Sequence, residues 1–419
     1  MATRPFRTKV IGTALTEVQY GLSLAASAEG NYPIVGMKDI RDGRIHIDES
    51  IRVELDDETA GRFLLQPGDV LLNRTNSNEL VGKCAIFDGG APAVFASYLV
   101  RLKFDEKKLL PAFANYYLNS EYGQSQLKML STRGVSQANI NPTTFRKYFE
   151  LPFPKLDEQR RIVLVLDAAN RQIALSEQIA TEAGGKISAM MSSLVFQGLR
   201  STTPFDIMKS KRLAKLGWKR FTIGSIAADV RRVNREDLAL PVLSSTKLKG
   251  IVFSDDYFGK QVYSANTSTY KRVRRGEFVY ATNHIEEGSI GLQDICDEGL
   301  VSPMYTVFEL DESQVDPHFL YALLKTETYR QIFSANTSAS VDRRGSLRWK
   351  DFSRLPVHLP SLEVQREMAA KIAASRRYLE LCHTRLDGMR EQKRGLMQQL
   401  LTGHQRLTRD LPGMDASHV

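Results

Sequence analysis

Pro154-Lys155-Leu156-Asp157-Glu158-Gln159-Arg160 returns as Pro360-Ser361-Leu362-Glu363-Val364-Gln365-Arg366, an offset of 206 residues (365 − 159) in a chain of 419. Each copy opens a stretch of roughly forty residues with a heptad stripe. One position of the stripe carries Leu166, Ile173, Ala180, Ile187 and Leu194, and its companion carries Ile162, Ala169, Ser176, Ala183 and Met190. The same frame moved by the offset gives Ile372, Leu379, Leu386, Lys393 and Leu400, with Met368, Ser375, Cys382, Met389 and Leu396 beside it. So narrow an apolar seam predicts two long helices packed on each other, with Ser176, Ser375 and Lys393 as polar breaks. A proline fixes each entry and an acid, Asp157 or Glu363, complements the helix dipole. Gly198 and Gly403 suit the far ends, and Gly184-Gly185 predicts a kink or break in the first helix, with close helix contact as the alternative.

Outward from these segments, further landmarks recur in order. Ile11-Gly12 matches Ile223-Gly224, and Tyr32-Pro33-Ile34-Val35 matches Leu240-Pro241-Val242-Leu243. Pro67-Gly68-Asp69-Val70-Leu71 matches Arg275-Gly276-Glu277-Phe278-Val279, and Leu80-Val81-Gly82 matches Ser289-Ile290-Gly291. Pro111-Ala112-Phe113 matches Pro317-His318-Phe319, and Leu151-Pro152 matches Leu355-Pro356. Strands are predicted over 69–72, 83–87 and 97–104 in the first copy, and over 277–281 and 305–310 in the second. Single helices are predicted over 113–129 and 317–334, with tight turns at Gly68 and Gly276. The alternation is too irregular for a doubly wound sheet. The fold class is therefore α+β, with two pseudo-repeated mixed domains and two long antiparallel coiled-coil helices. The predicted layout runs 1–153 (first domain), 154–200 (helix), 201–217 (basic linker), 218–359 (second domain), 360–405 (helix) and 406–419 (flexible tail).

Composition narrows the function class. The chain carries 57 Lys+Arg against 48 Asp+Glu, a net charge of +9, which favours a polyanionic partner. Cys84, Cys296 and Cys382 are too far apart for a disulfide framework or a zinc site and read as buried thiols in a reducing cytoplasm. The N-terminus leads into no long apolar stretch, and the longest aliphatic run, Ile162 to Leu166, is too short to span a bilayer. No phosphate-binding glycine loop, dinucleotide fingerprint or metal-binding histidine spacing is present. Asn141-Pro142-Thr143-Thr144 lacks the second proline and aromatic of the amino-methyltransferase motif and reads as a turn. The chain is predicted to bind rather than transform, with no metal or cofactor of its own. Two classes remain open, a DNA reader and a coiled-coil scaffold with protein-binding heads.

Two mixed domains, each followed by a Pro-x-Leu-x-x-Gln helix with a glycine near its end, resemble the specificity (S) subunits of type I restriction-modification systems. The resemblance rests on Pro154, Leu156, Gln159 and Gly198, and on Pro360, Leu362, Gln365 and Gly403. Arg74-Thr75-Asn76 ahead of Leu80-Val81-Gly82, and Trp218-Lys219 ahead of Ile223-Gly224, support it. It implies two target-recognition domains, each reading half of a split sequence in double-stranded DNA, and a helix pair that fixes the gap. It also implies docking of two adenine-N6 methyltransferase subunits, with restriction-motor subunits for cleavage. S-adenosylmethionine, ATP and magnesium would then sit on those partners. The first copy departs by lacking Trp-Lys at its start. The second departs by Val364 in place of Glu158, which puts equal docking of the two partners in doubt.

Base edges are matched by Arg for guanine and Asn or Gln for adenine. The first domain's candidates are Arg74, Thr75, Asn76, Asn78 and Lys83, then Arg133, Ser136, Gln137 and Asn139. The second offers Asn283 and His284, then Arg343, Arg344, Ser346 and Arg348. Lys271, Arg272, Arg274 and Arg275 form a basic run suited to phosphate. A second run, Lys209, Lys211, Arg212 and Lys215, reads as solvated linker. Gln159, Ile162, Leu166, Ile173, Ile187 and Leu194, with Gln365, Met368, Ile372, Leu379, Leu386 and Leu400, are the candidates for helix seam and subunit docking.

Overall fold

The computed structural model describes residues 5–25, 27–77, 80–133, 137–195, 203–209, 211–214, 217–247, 249–259, 261–337 and 346–407. Two compact units emerge: residues 1–178 with 384–419, and residues 179–383. Each unit therefore holds one mixed domain, the first half of one long helix and the second half of the other, or the reverse.

In the first unit a six-stranded sheet runs in the order Leu15–Tyr20, Leu99–Phe104, Val70–Asn73, Cys84–Ile86, Arg44–Ile45, Ile40–Arg41. In the second a four-stranded sheet runs Ala227–Val230, Tyr305–Leu310, Phe278–Ala281, Ile290–Leu292. The first four strands correspond one to one. Their central pairs are antiparallel in matched register, Leu102 opposite Val70 and Phe308 opposite Phe278. The duplication seen in the sequence is thus a duplication of topology. Gly68 and Gly276, at φ +92° and +88°, make the predicted turns before the third strand.

Each predicted helix of the globular parts is two. Pro111–Leu118 and Glu121–Leu130 replace the first, and Pro317–Leu324 and Glu327–Asn336 the second. Ser120 and Thr326, again 206 residues apart, cause the split. Their hydroxyls accept from Gly123 N at 3.2 Å and Tyr329 N at 3.4 Å, starting a new helix. Asn141 also caps rather than turns. Its Oδ1 accepts from Thr143 N (2.8 Å) and Thr144 N (3.3 Å), opening a helix over Pro142–Tyr148.

The long helices run Leu156–Val195 and Leu362–Thr402. The first passes through Gly184-Gly185 without a break. Built onto Gly184, a Cβ would lie 4.0 Å from both methyls of Leu379, so this glycine faces the seam. The helices are antiparallel in both units. Ser176 meets Met389 and Glu177 pairs with Arg390 at 2.6 Å in the first, and Gly184 faces Leu379 in the second. Ile162, Leu166, Leu386 and Leu400 are buried, as are Met368 and Ile372. Ile173, Ile187 and Leu379 are half-buried, and the side chain of Leu194 and Gly198 lie outside the described residues.

Two boundaries move. The predicted solvated linker contains helices Pro204–Lys209 and Lys211–Ala214, whose Ile207 and Leu213 are buried in the second domain's core beside Trp218. The predicted tail begins too early, because Arg406 and Leu407 are fastened to the first long helix: Arg406 binds Glu158, and Leu407 O accepts from Arg161 Nε at 2.7 Å. Of the thiols, only Cys84 is fully buried, which pushes its pKa far up; Cys296 and Cys382 are half-buried.

Candidate nucleic-acid interface

Strand pairing assembles the first domain's polar candidates. Thr75–Asn76 is a short strand rather than a loop, paired antiparallel with Ala138–Ile140, which in turn pairs with Ser131–Arg133. Residues 65 apart in sequence thereby meet. Asn139 Oδ1 accepts from Arg74 Nη1 (3.0 Å) and from Thr75 Oγ1 (3.0 Å). Arg74 Nε donates to Ser97 O (3.2 Å), and its guanidinium lies 5.0 Å from the ring centre of exposed Tyr20. Asn76 Oδ1 accepts from Ser77 N (2.8 Å), and Gln137 is exposed. Beneath them Asn73 is fully buried, and neither atom of its amide has a hydrogen-bond partner. Asn78, Ser136 and the side chain of Arg133 lie outside the described residues. Lys83 is not part of this group. It is exposed and lines a cavity of about 340 Å³ with Arg44, Asp88, Tyr116 and Lys393.

The second domain repeats the backbone of this arrangement with other side chains. Leu347 N donates to Thr282 O at 2.9 Å, as Ile140 N donates to Arg74 O at 2.8 Å. Thr282 thus stands where Arg74 stands, and Ser346 where Asn139 stands. Thr282 Oγ1 lies 3.3 Å from Asn283 Oδ1 and donates to Met304 O at 3.2 Å. His284 and Arg348 are exposed nearby. His284, Glu286 and Glu287 bring their ligand-type atoms within 4.8 Å of one another, and His284 and Glu287 are open to solvent. Arg343 and Arg344 lie outside the described residues.

The basic run is not an open cationic patch. Lys271–Arg274 is a strand paired with Glu298–Val301. Glu298 takes Arg272 on two oxygens (3.1 and 2.8 Å) and Arg274 at 3.3 Å, and the two guanidinium groups hold its carboxyl below the usual range. Asp297 takes Arg275 at 3.2 Å, and Lys271 donates to Tyr305 O. Lys271 is also half-buried, which lowers its pKa.

The glutamines named for helix seam and subunit docking are held within the chain. Gln159 is fully buried; its Oε1 accepts from Leu110 N (2.8 Å) and its Nε2 donates to Lys108 O (3.1 Å) and Pro154 O (2.9 Å). Gln365 repeats this with Asp316 N (3.0 Å), Gln314 O (3.2 Å) and Pro360 O (3.0 Å). The motif therefore buttons each long helix onto the loop that starts its domain's Pro111 or Pro317 helix. Ile162, Leu166 and Leu400 lie in the first core, and Met368 and Ile372 in the second, so these residues pack within the chain.

The two departures are also internal matters. At the start of the first copy Phe6 lies against Gly403, which at φ +82° leaves no room for a Cβ; one would meet Phe6 N at 3.0 Å. Glu158 is buried and holds Arg406 on both oxygens at 2.7 Å, whereas Val364 packs against the second core. Tyr20, Ser97 and Arg406 went unread in the sequence, because nothing local to them announces a partner so distant along the chain.

Among the described residues no helix is long and apolar enough to cross a membrane. Residues 22–183 match the family described as the type I restriction modification DNA specificity domain. A protein named as the MjaX type I restriction enzyme specificity subunit of Methanocaldococcus jannaschii is 24% identical over 388 residues, covering 89% of this chain and 87% of its own. The MjaVIII specificity subunit of the same organism is 23% identical over 399 residues, covering 90% and 86%. In fold, the chain is similar to the S subunit of a type I restriction-modification system from M. genitalium, with a TM-score of 0.55 at 15% identity over 94% of this chain and 96% of that one. A structure from work on assembly of the type I R-M system gives 0.57 at 16% identity over 97% and 100%. The duplicated domain, the paired helices and the buttoning glutamines are what this chain has beside these likenesses: residues 22–183 match a type I restriction modification DNA specificity domain, and the chain is similar over nearly its whole length to type I restriction enzyme specificity subunits.

Proposed function

We propose that this chain is the non-catalytic, DNA-reading subunit of a type I restriction-modification enzyme. Each mixed domain reads one half of a split, asymmetric site in double-stranded DNA, and the helix pair holds the interval between halves. At about 1.5 Å per residue a forty-residue helix is ~60 Å long, nearly two turns of duplex at ~34–36 Å each. The observation that carries the reading is the matched polar edge: one backbone arrangement in two domains, furnished with Arg74, Thr75 and Asn139 in one and Thr282, Asn283 and Ser346 in the other. A scaffold that binds one kind of protein twice has no need of that divergence. Two reading heads for unlike half-sites require it.

The adenine-N6 methyl transfer would belong to two docked methyltransferase subunits that carry S-adenosylmethionine, and cleavage to restriction subunits with ATP and magnesium. Such an assembly would work in the cytoplasm. The test is co-expression with the neighbouring methyltransferase and mapping of N6-methyladenine across host DNA. One gapped, asymmetric motif is the expected result. No new methylation, with the partner shown active and assembled, overturns the reading. Binding that fails to weaken steeply as salt rises would favour the scaffold instead.

A further inference from the structure

We infer that the first domain recognises a guanine through Arg74, held for that purpose by Tyr20, Ser97 and Asn139; among the described residues the second domain places no guanidinium at the matched position. The inference rests on the DNA-reading role proposed above and names the base.

Arginine reads guanine by offering two parallel N–H donors to O6 and N7. A free arginine must give up considerable rotamer freedom to do so. Arg74 has already given it up. Its Nε is committed to Ser97 O and one Nη1 hydrogen to Asn139 Oδ1, and its plane is backed by the Tyr20 ring. Two of five N–H groups are used, and the Nη1–Nη2 end keeps the pair a guanine edge requires. The side chain is only partly buried, so that end is within reach of a ligand.

The same bonds remove Asn139 from the list of readers. An asparagine reads adenine by accepting and donating at once. The Asn139 Oδ1 is occupied by Arg74 and Thr75, which leaves a donor alone. Asn139 is thus a positioning residue, as are Tyr20 and Ser97. At the matched place in the second domain Thr282 spends its hydroxyl on Met304 O. Arg231, next after the strand that matches Leu15–Tyr20, pairs with Asp229 at 2.7 Å. No guanidinium is stacked there among the described residues.

The full chain, assembled with its methyltransferase, should methylate a motif with a fixed G·C pair in one half. Arg74→Lys keeps the charge but loses the fork, and should relax that one position by about 10–100-fold. Tyr20→Leu and Asn139→Ala should relax the same position by less. As a check free of any folding defect, 7-deazaguanine at that position, which lacks N7, should weaken wild-type binding and leave Arg74→Ala binding unmoved. An unchanged motif, a relaxed A·T position, or equal loss on all sequences would each overturn the assignment. If the wild-type complex shows no gapped motif at all, the DNA-reading role itself fails, which is a different result from a gapped motif that ignores Arg74.

Discussion

Glu158 and Arg406 stand 248 residues apart and form a two-point ion pair, each carboxylate oxygen 2.7 Å from a guanidinium nitrogen. Glu158 also accepts from Leu407 N at 3.2 Å, and Arg406 lies over the Phe6 ring. One carboxylate thus ties together the first long helix and the residues after the second, with Phe6 against them. Because Glu158 is buried and Arg406 only partly so, breaking the pair should cost about 2–3 kcal/mol, somewhat below a fully buried pair. Arg406→Ala should lower the melting temperature of the lone chain, and Glu158→Val added to it should cost nothing further. Additive losses in that cycle would show that the two residues act separately.

The buttoning glutamines offer a direct choice between packing and docking. Gln159→Ala leaves the buried Leu110 N without its acceptor, and Gln365→Ala does the same to Asp316 N. Each should destabilise the chain by roughly 2–4 kcal/mol in urea unfolding with no partner present. A docking role predicts the opposite pattern, an unchanged lone chain and a weakened complex.

Gly184 sits in a continuous helix with 4.0 Å to Leu379, ordinary contact distance for an added methyl. Gly184→Ala should therefore stabilise the chain by about 0.5–1 kcal/mol through helix propensity. Gly185→Ala, with nothing within 4 Å, should give a similar gain and serves as the control. A loss at Gly184 alone, read as a lowered melting temperature, would mean that the seam there is tighter than its geometry.

His358 is 1% exposed, with no partner for either ring nitrogen. Burial, with Arg220 nearby, pushes its pKa from 6.5 down to about 4. Above pH 6.5 the ring is neutral folded or unfolded and costs nothing extra. As pH falls from 6.5 towards 4 the unfolded chain takes up a proton that the folded chain refuses. Stability is lost over that window, by roughly 3 kcal/mol from this group. Denaturant midpoints measured from pH 7 to 4 should fall less for His358→Leu than for the wild type. Parallel curves would remove His358 from the acid sensitivity.

Much of this architecture was legible because it is local and repeated. The Pro-x-Leu-x-x-Gln copies, the heptad frame, the turns at Gly68 and Gly276 and the strand Tyr305–Leu310 each declare themselves within a few residues. The helix splits at Ser120 and Thr326 were hidden because the apolar pattern runs on across a hydroxyl cap. The candidate site was legible in its residues and not in its bonds. That Asn139 belongs to Arg74, or Glu298 to Arg272, depends on strand pairing between distant segments, which composition does not encode. The pairing of the basic run was hidden for the same reason: its counter-charges lie on the neighbouring strand.

The exchange of helix halves between the two units has a consequence for the order of synthesis. Residues 1–178 leave the ribosome before residues 384–419, which complete the unit they belong to. Leu166 and Ile162 must wait for Leu400 and Leu401 to close their core. The second unit, by contrast, is contiguous from 179 to 383 and is whole before residues 384–419 appear. A stop codon placed just before residue 384 therefore spoils the domain encoded far upstream of it.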